Sequence, residues 1–191
     1  MSKTANLLTD SYGVPDRVGL LLPLHWQPVC LLLGAVAAGS TVVVAETVDD
    51  LRGCDVAFVA VGDAAAAVAV GVDEVLACSL TTFATRLTQL PPLVLDAAVE
   101  LPGHGDHFGG RPIEARIELG GTAFTAAPLD LTVSDRVLTA LAPNTRTGLG
   151  AVLGVLAAGA ALILLAAGDR DRAIERESAT AWVDESGLHR R

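Results

Sequence analysis

The sequence predicts an α/β fold: two pseudo-symmetric βαβ (Rossmann-like) lobes with mainly parallel sheets, joined through a β-hairpin. Three observations predict it. The first is an internal repeat, in which residues 16–44 read DRVGLLLPLHWQPVCLLLGAVAAGSTVVV and residues 135–164 read DRVLTALAPNTRTGLGAVLGVLAAGAALIL. With one extra residue in the second loop, Asp16-Arg17-Val18 aligns with Asp135-Arg136-Val137, and Ala37-Ala38-Gly39 with Ala157-Ala158-Gly159. A repeat of this kind is one supersecondary unit used twice. The second observation is that each copy alternates a short apolar run, a segment of helical length and another short apolar run, the order of a βαβ unit. The third is a period-two segment between the copies, with Ile113, Ala115, Ile117 and Leu119 alternating with Glu114, Arg116 and Glu118 before Gly120-Gly121. That pattern is a half-exposed strand entering a hairpin with residues 122–126.

Within each copy, residues 18–22 or 137–141 are too few for a helix and suit a buried strand. Pro23 or Pro143 ends it, because proline cannot donate to a ladder. Residues 29–38 or 149–158 form a Leu/Ala-rich helix that stops at Gly39 or Gly159, where a left-handed residue is expected. Residues 41–44 or 161–164 are apolar throughout, as in a strand covered on both faces.

Before the first copy, residues 3–9 read as the end of an amphipathic helix with no preceding segment to cover its apolar side, so a longer natural chain is expected. After it, Asp55 opens a strand over 56–61, and Asp63 is the expected N-cap of an alanine-rich helix to Val70. Residues 75–78 form a strand, residues 82–90 a helix stopped by Pro91-Pro92, and residues 93–95 a last strand of this lobe. Residues 101–112 form a loop with four of the chain's 19 glycines. After the second copy come a charged helix over 169–178, a closing strand over 180–183 and a frayed tail over 187–191. The chain therefore divides into a first subdomain at 1–100, the glycine-rich loop and hairpin at 101–127, and a second subdomain at 128–191.

Composition narrows the function classes. Apolar residues make up 51% of 191 residues, enough for a real core and against disorder. A net charge of −9 argues against a phosphate-backbone partner, so no nucleic acid is expected. Lys3 is the only lysine; the other 12 basic residues are arginines. No basic segment followed by an apolar one opens the chain, so a cytoplasmic location is expected. Cys30, Cys54 and Cys78 lie in apolar surroundings and read as reduced, buried thiols. Residues 148–168 carry no charge over 21 positions, the length of a membrane span. The Ala-Ala-Gly break inside that run, repeated in the first copy, favours helix, turn and strand, and no membrane is expected.

Four constellations carry chemistry on paper. Gly148, Gly150 and Gly154 match a GxGxxxG dinucleotide fingerprint with Asp169 further on, but six residues separate them from the preceding strand, so close helix-to-sheet packing is the better account. His104, Asp106 and His107 resemble a metal or acid–base cluster in a loop with no helix to fix it and no further ligand. A solvated turn explains them, and no metal is expected. His25-Trp26 follows the first strand at the carboxyl end, where open α/β sheets place ligands; packing of Trp26 against a helix competes with ligand stacking. Ser40, Ser79, Ser134 and Ser178 lack a G-x-S-x-G elbow, so a hydrolase triad has no support.

The strings DRVGLLLP…LLLGAVAAGSTVVV and DRVLTALAP…GLGAVLGVLAAGAALIL…IERESATAW resemble the adenylate-forming (AMP-binding, acyl/acetyl-CoA synthetase-like) superfamily. The likeness spans roughly residues 3–95 and 131–184 and implies a truncated or degenerate relative of that superfamily's N-terminal domain, with its two similar subdomains. It also implies where the machinery should be. The family's phosphate loop ends in Gly-x-Pro-Lys-Gly; here Gly109-Gly110-Arg111-Pro112-Ile113-Glu114 puts Ile113 in the lysine position, after Asp106-His107-Phe108. Isoleucine cannot offset phosphate charge, and Glu114 repels it. The family's aromatic-His string of the acyl pocket is replaced by Pro143-Asn144-Thr145-Arg146, and the nucleotide-binding Tyr-x-x-Gly-Asp region and the catalytic-lysine lid would fall beyond Arg191.

The expectation is a scaffold without catalytic residues or cofactor, acting as a structural or partner-binding protein; a protein partner or a homodimer is its expected company. A retained nucleotide or acyl site between the lobes is the alternative, and an NAD(P)-binding protein the weaker one. Candidate ligand-binding residues are His104, Asp106, His107, Gly109, Gly110, Arg111, Arg146 and Trp26.

Overall fold

A computed structural model of the chain describes residues 1–110 and 116–191. Arg111, Ile113 and Glu114, with the start of the period-two segment, lie outside the described residues. Two compact units are present: Met1–Leu22 with Gln27–Phe124, and Pro23–Trp26 with Thr125–Arg191.

The first unit contains α1 (Ser2–Tyr12), β1 (Arg17–Leu21), α2 (Trp26–Ala38), β2 (Thr41–Val44), β3 (Val56–Ala60), α3 (Ala64–Ala69), β4 (Glu74–Cys78), β5 (Val94–Asp96), α4 (Ala97–Glu100), β6 (Ile117–Leu119) and β7 (Thr122–Ala123). Among the described residues its strands form one sheet in the order β5-β4-β3-β1-β2-β6-β7, parallel except for the β6–β7 hairpin. The second unit contains β8 (Arg136–Thr139), α5 (Arg146–Ala157), β9 (Ala161–Leu164), α6 (Arg170–Arg176), β10 (Ala181–Asp184) and β11 (Gly187–Arg190), with strand order β11-β10-β8-β9.

The repeat is reproduced residue by residue. Arg17 pairs with Thr41 and Val18 with Val56 in the first unit; Arg136 pairs with Ala161 and Val137 with Ala181 in the second. Thr41 and Ala161 are the same position once the extra loop residue is allowed for, while Val56 and Ala181 lie after the repeat, on the strand that covers the other side of β1 or β8. The helix ends match too. Ser40 N–H reaches Ala35 O at 3.1 Å and Ala160 N–H reaches Val155 O at 3.2 Å, each closing a Schellman-type turn around Gly39 (φ 96°) and Gly159 (φ 70°). Continuous apolar strands follow from two-sided cover: in the second unit Val137 packs with Ala151 and Val155 of α5, while its neighbour Leu138 packs with Ala173 and Ile174 of α6.

Residues 148–168 form the body of α5, a turn, β9 and a loop, the helix, turn and strand expected there, and among the described residues no helix is long and apolar enough to cross a membrane. Several local expectations are corrected. Residues 82–90 form no helix: Thr81 Oγ1 accepts Thr85 N–H at 2.9 Å, the Asp96 carboxylate accepts Leu87 N–H at 2.8 Å, and Leu80 and Ala84 take φ of 55° and 48°. Hydroxyl and carboxylate groups there offer the backbone local partners that compete with a helix. Residues 187–191 are not a frayed tail; β11 pairs antiparallel with β10 because Asp184 Oδ1 accepts Ser186 N–H at 2.9 Å and Gly187 takes φ 124°, folding the chain back. Asp63 occupies the N-cap position of α3 without a side-chain cap bond. The apolar side of α1 has cover after all: Leu7 and Leu8 are fully buried, and Gly34 of α2 lets α1 approach so closely that a Cβ there would overlap Thr4 and lie 2.8 Å from Met1 O.

Candidate functional site

The glycine-rich loop is held by helix α1. Asp96 caps α4 by accepting Ala98 N–H at 2.9 Å, and Pro102 sits in the single 3-10 turn Leu101–Gly103 that follows. From there the chain runs along one face of α1, where Lys3, Asn6 and Asp10 recur at helical spacing. Lys3 Nζ donates to His104 O at 2.6 Å and pairs with Asp106 Oδ1 at 3.0 Å. Asn6 Nδ2 donates to Gly105 O and His107 O, both at 2.9 Å. Asp10 Oδ2 lies 3.6 Å from His104 Nδ1.

The loop is thus a bound turn, with four of its backbone carbonyls, those of Pro102, His104, Gly105 and His107, accepting from two side chains. Gly110 lies beneath the Phe108 ring, which fills the space a Cβ would need, while Gly109 is open. Of the candidate residues the structure gathers His104, Asp106 and His107 in one loop with Gly109 and Gly110. Arg111 is outside the described residues. Arg146 is the first residue of α5 in the second unit, and Trp26 the first of α2, half exposed with the His25 ring 5.4 Å away. Sequence reasoning missed Lys3, Asn6 and Asp10 as partners of the loop; their i, i+3, i+7 spacing on an amphipathic helix was the available signal.

Cys54 and Cys78 are buried thiols pushed up to about 11 and about 12, in both cases chiefly by burial, so neither is a thiolate nucleophile at neutral pH. Among the described residues no group of three or more His, Cys, Asp or Glu side chains gathers to hold a metal ion. An open pocket of about 380 Å³ is lined by Asp16, Asp55, Asp73, Glu74 and Tyr12. It lies at the amino ends of β1, β3 and β4, opposite the carboxyl ends where open α/β sheets bind ligands. Burial, then Glu74 and Glu100, push the Tyr12 hydroxyl up, consistent with an acidic surface that repels anions.

The glycine fingerprint of α5 serves packing. Thr145 Oγ1 accepts Gly148 N–H at 3.1 Å and donates to Ala142 O at 2.9 Å, and a Cβ at Gly148 would overlap that same carbonyl. The preceding turn therefore packs directly against the first turn of α5. In the hairpin β10–β11, Asp184 Oδ1 accepts from Ser186 Oγ at 2.6 Å and lies 3.0 Å from His189 Nε2, while Ser186 Oγ also contacts that nitrogen at 3.0 Å. A catalytic relay needs the two partners on different ring nitrogens. Here they share one, so the cluster is a turn lock. The Ser186 and His189 bonds hold the Asp184 carboxyl well below the usual range.

This arrangement of two βαβ-based sheets has the fold of the N-terminal domain of adenylate-forming enzymes. The N-terminal domain of FACL13 from Mycobacterium tuberculosis superposes with a TM-score of 0.67 at 20% identity, over 95% of this chain and 52% of that one. An acyl-CoA synthetase from Brucella canis superposes with a TM-score of 0.74 at 16% identity, over 95% and 39%. ATP-bound MatB from Rhodopseudomonas palustris superposes at 0.64 and 17% identity, over 95% and 42%. The chain thus spans about half the length of these solved structures or less. No protein-family model matches it. A TIGR03089 family protein of Mycobacterium tuberculosis (strain ATCC 25618 / H37Rv) is 33% identical over 195 aligned positions, which cover 95% of this chain and 79% of the relative. The chain belongs to the TIGR03089 family.

Proposed function

We propose that this chain is an adenylate-forming scaffold without the catalytic machinery, acting as a structural or partner-binding protein. One observation carries the reading: Lys3, the only lysine in the sequence, is tied to Asp106 and His104 O, in a bond that fixes the loop. Adenylate formation develops negative charge on a leaving pyrophosphate, and that charge needs fixed positive partners. The sequence offers Ile113 and Glu114 where the superfamily's phosphate loop carries its lysine, and the pocket at the strands' amino ends is acidic. The solved relatives in fold include an acyl-CoA synthetase and an ATP-bound protein, so retained nucleotide or acyl binding is the competing reading.

Carboxylate-dependent ATP–pyrophosphate exchange decides between a scaffold and an enzyme. Exchange at background is expected for acetate, longer acids and amino acids alike. Clear exchange with any acid, lost on Arg111→Ala or Arg146→Ala, would show that arginines have taken over the charge and would overturn the scaffold reading.

A further inference from the structure

The repeat makes β8 the twin of β1 and β9 the twin of β2, and among the described residues β9 lacks the neighbour that β2 has. In the first unit the outer edge of β2 is covered by β6, with Val42 opposite Ile117 and Val44 opposite Leu119. Its twin β9 is the last strand of its sheet. Ala161 and Leu165 N–H donate to Asp135 O and Thr139 O of the β8 side, both at 2.9 Å. The two-residue period of a strand turns the N–H groups of Leu162 and Leu164 the other way, onto the open edge. The burial of the twins differs accordingly: Val42, Val43 and Val44 are buried, whereas Leu162, Ile163 and Leu164 are each partly exposed. Val133, 79% exposed, packs beside Gly159 just ahead of β9 and extends the apolar strip.

Open edges are normally guarded by charge, proline or shortness. The other described edges follow that rule: Pro91-Pro92 precede β5 and Asp96 ends it, β7 has two residues, and β11 carries His189 and Arg190. The β9 strand reads Ala-Leu-Ile-Leu, inside a run from residue 148 to 168 with no charge at all.

We propose that the outer edge of β9 is a homodimer interface, where β9 of one copy pairs antiparallel with β9 of a second copy. A two-fold axis sets a strand antiparallel to itself, and an isologous contact needs a self-complementary patch. Centred on Ile163, the pairing sets Leu162 against Leu164, whose outward N–H and C=O groups exchange hydrogen bonds, Ile163 against its own copy and Ala161 against Leu165, apolar against apolar at every position. Charge selects the same occupant. Two copies at −9 repel wherever their acidic faces meet, and the uncharged run is where that repulsion is least. A partner chosen by opposite charge would find no charge on β9 to pair with.

The test uses the full chain. Light scattering and sedimentation between roughly 1 and 500 µM should show a shift from 19.5 kDa to twice that mass. Over the same range, amide exchange at Leu162 and Leu164 should slow. Leu164→Pro removes an N–H that β8 does not use, and Ala161→Glu sets carboxylates against the partner strand; both should be monomers with unchanged circular dichroism. A monomer at roughly 500 µM, a dimer with no concentration-dependent protection at Leu162 and Leu164, or a dimer that survives both folded substitutions would overturn the proposal. If either variant unfolds, amide exchange in the unsubstituted chain gives the answer.

Discussion

The same βαβ unit is built twice in this chain, and the two copies are stabilised by different means. In the first unit β1 and β2 lie inside a wide sheet, flanked by β3 and β6, and the core around Leu51, Val59, Val75 and Ala77 is fully apolar. In the second unit β8 is flanked by β10 and β9 as β1 is by β3 and β2, but β9 ends the described sheet, and polar side chains add to the packing. Asp135, which occupies the position of the exposed Asp16, accepts hydrogen bonds from Thr132 N–H, Thr180 Oγ1 and Arg190 at 2.8 to 3.1 Å. Thr145 caps α5, and Asp184 locks the last turn. A small sheet buries too little apolar surface to be held by packing alone, so bonds from side chains to backbone specify it.

Ways to break this contrast begin with the largest effect. Gly148→Val in the second copy forces a side chain into Ala142 O, which is backbone and cannot step aside. A loss of about 3 kcal/mol is expected in denaturant unfolding. Gly154→Ala meets the Leu129 side chain at 2.7 Å and Ala127 O at an ordinary 3.4 Å, and should cost about 1 kcal/mol. Equal costs for the two would mean that the tight turn before α5 is not what holds it.

Acid separates the units next. The bonds from Thr132 N–H and Thr180 pull the Asp135 carboxyl down to about 2. Because its folded-state value lies below the ordinary aspartate value of roughly 3.9, its contribution is present above about pH 4 and lost as the pH falls towards 2. Asp184 shifts in the same direction. Amide protection in β8–β11 should therefore fall before that in β1–β4 over this window, and Asp135→Asn should flatten the dependence. Simultaneous loss in both units, unchanged by the substitution, would contradict the contrast.

Thr145→Ala removes the cap of α5 and should cost about 1 kcal/mol, read as a lower denaturation midpoint. The smallest effect is at the loop. Lys3→Ala breaks an ion pair whose Asp106 partner is 88% exposed, so stability should change by less than about 1 kcal/mol. Faster amide exchange in residues 102–107 should accompany it, and unchanged exchange there would remove Lys3 from its role.

The sequence exposed the repeat, and with it the strands β1, β2, β8 and β9, because hydrophobic runs and the glycines that end helices are local signals. It hid the outcome at residues 82–90, where Thr81 and Asp96 capture backbone N–H groups, since Asp96 lies well along the chain from Leu87. It also hid β11, whose short polar run forms a strand only because Asp184 and Gly187 make the turn. At the candidate site, the loop was visible from its glycines and histidines. Its dependence on Lys3 and Asn6 was not, because about a hundred residues separate those partners along the chain.

The central claim, a scaffold that has lost phosphate binding, is tested most directly by the melting temperature with ATP·Mg²⁺, AMP or an acyl-adenylate analogue at millimolar level. A ligand that binds only the folded state at a hundredfold excess over Kd stabilises it by about 2.7 kcal/mol, which for a chain of this size is a shift of several degrees, on the order of 2–4 °C per kcal/mol. The account predicts no shift above about 1 °C for any of the three. A reproducible shift of several degrees with AMP, abolished by Arg111→Ala, would contradict it.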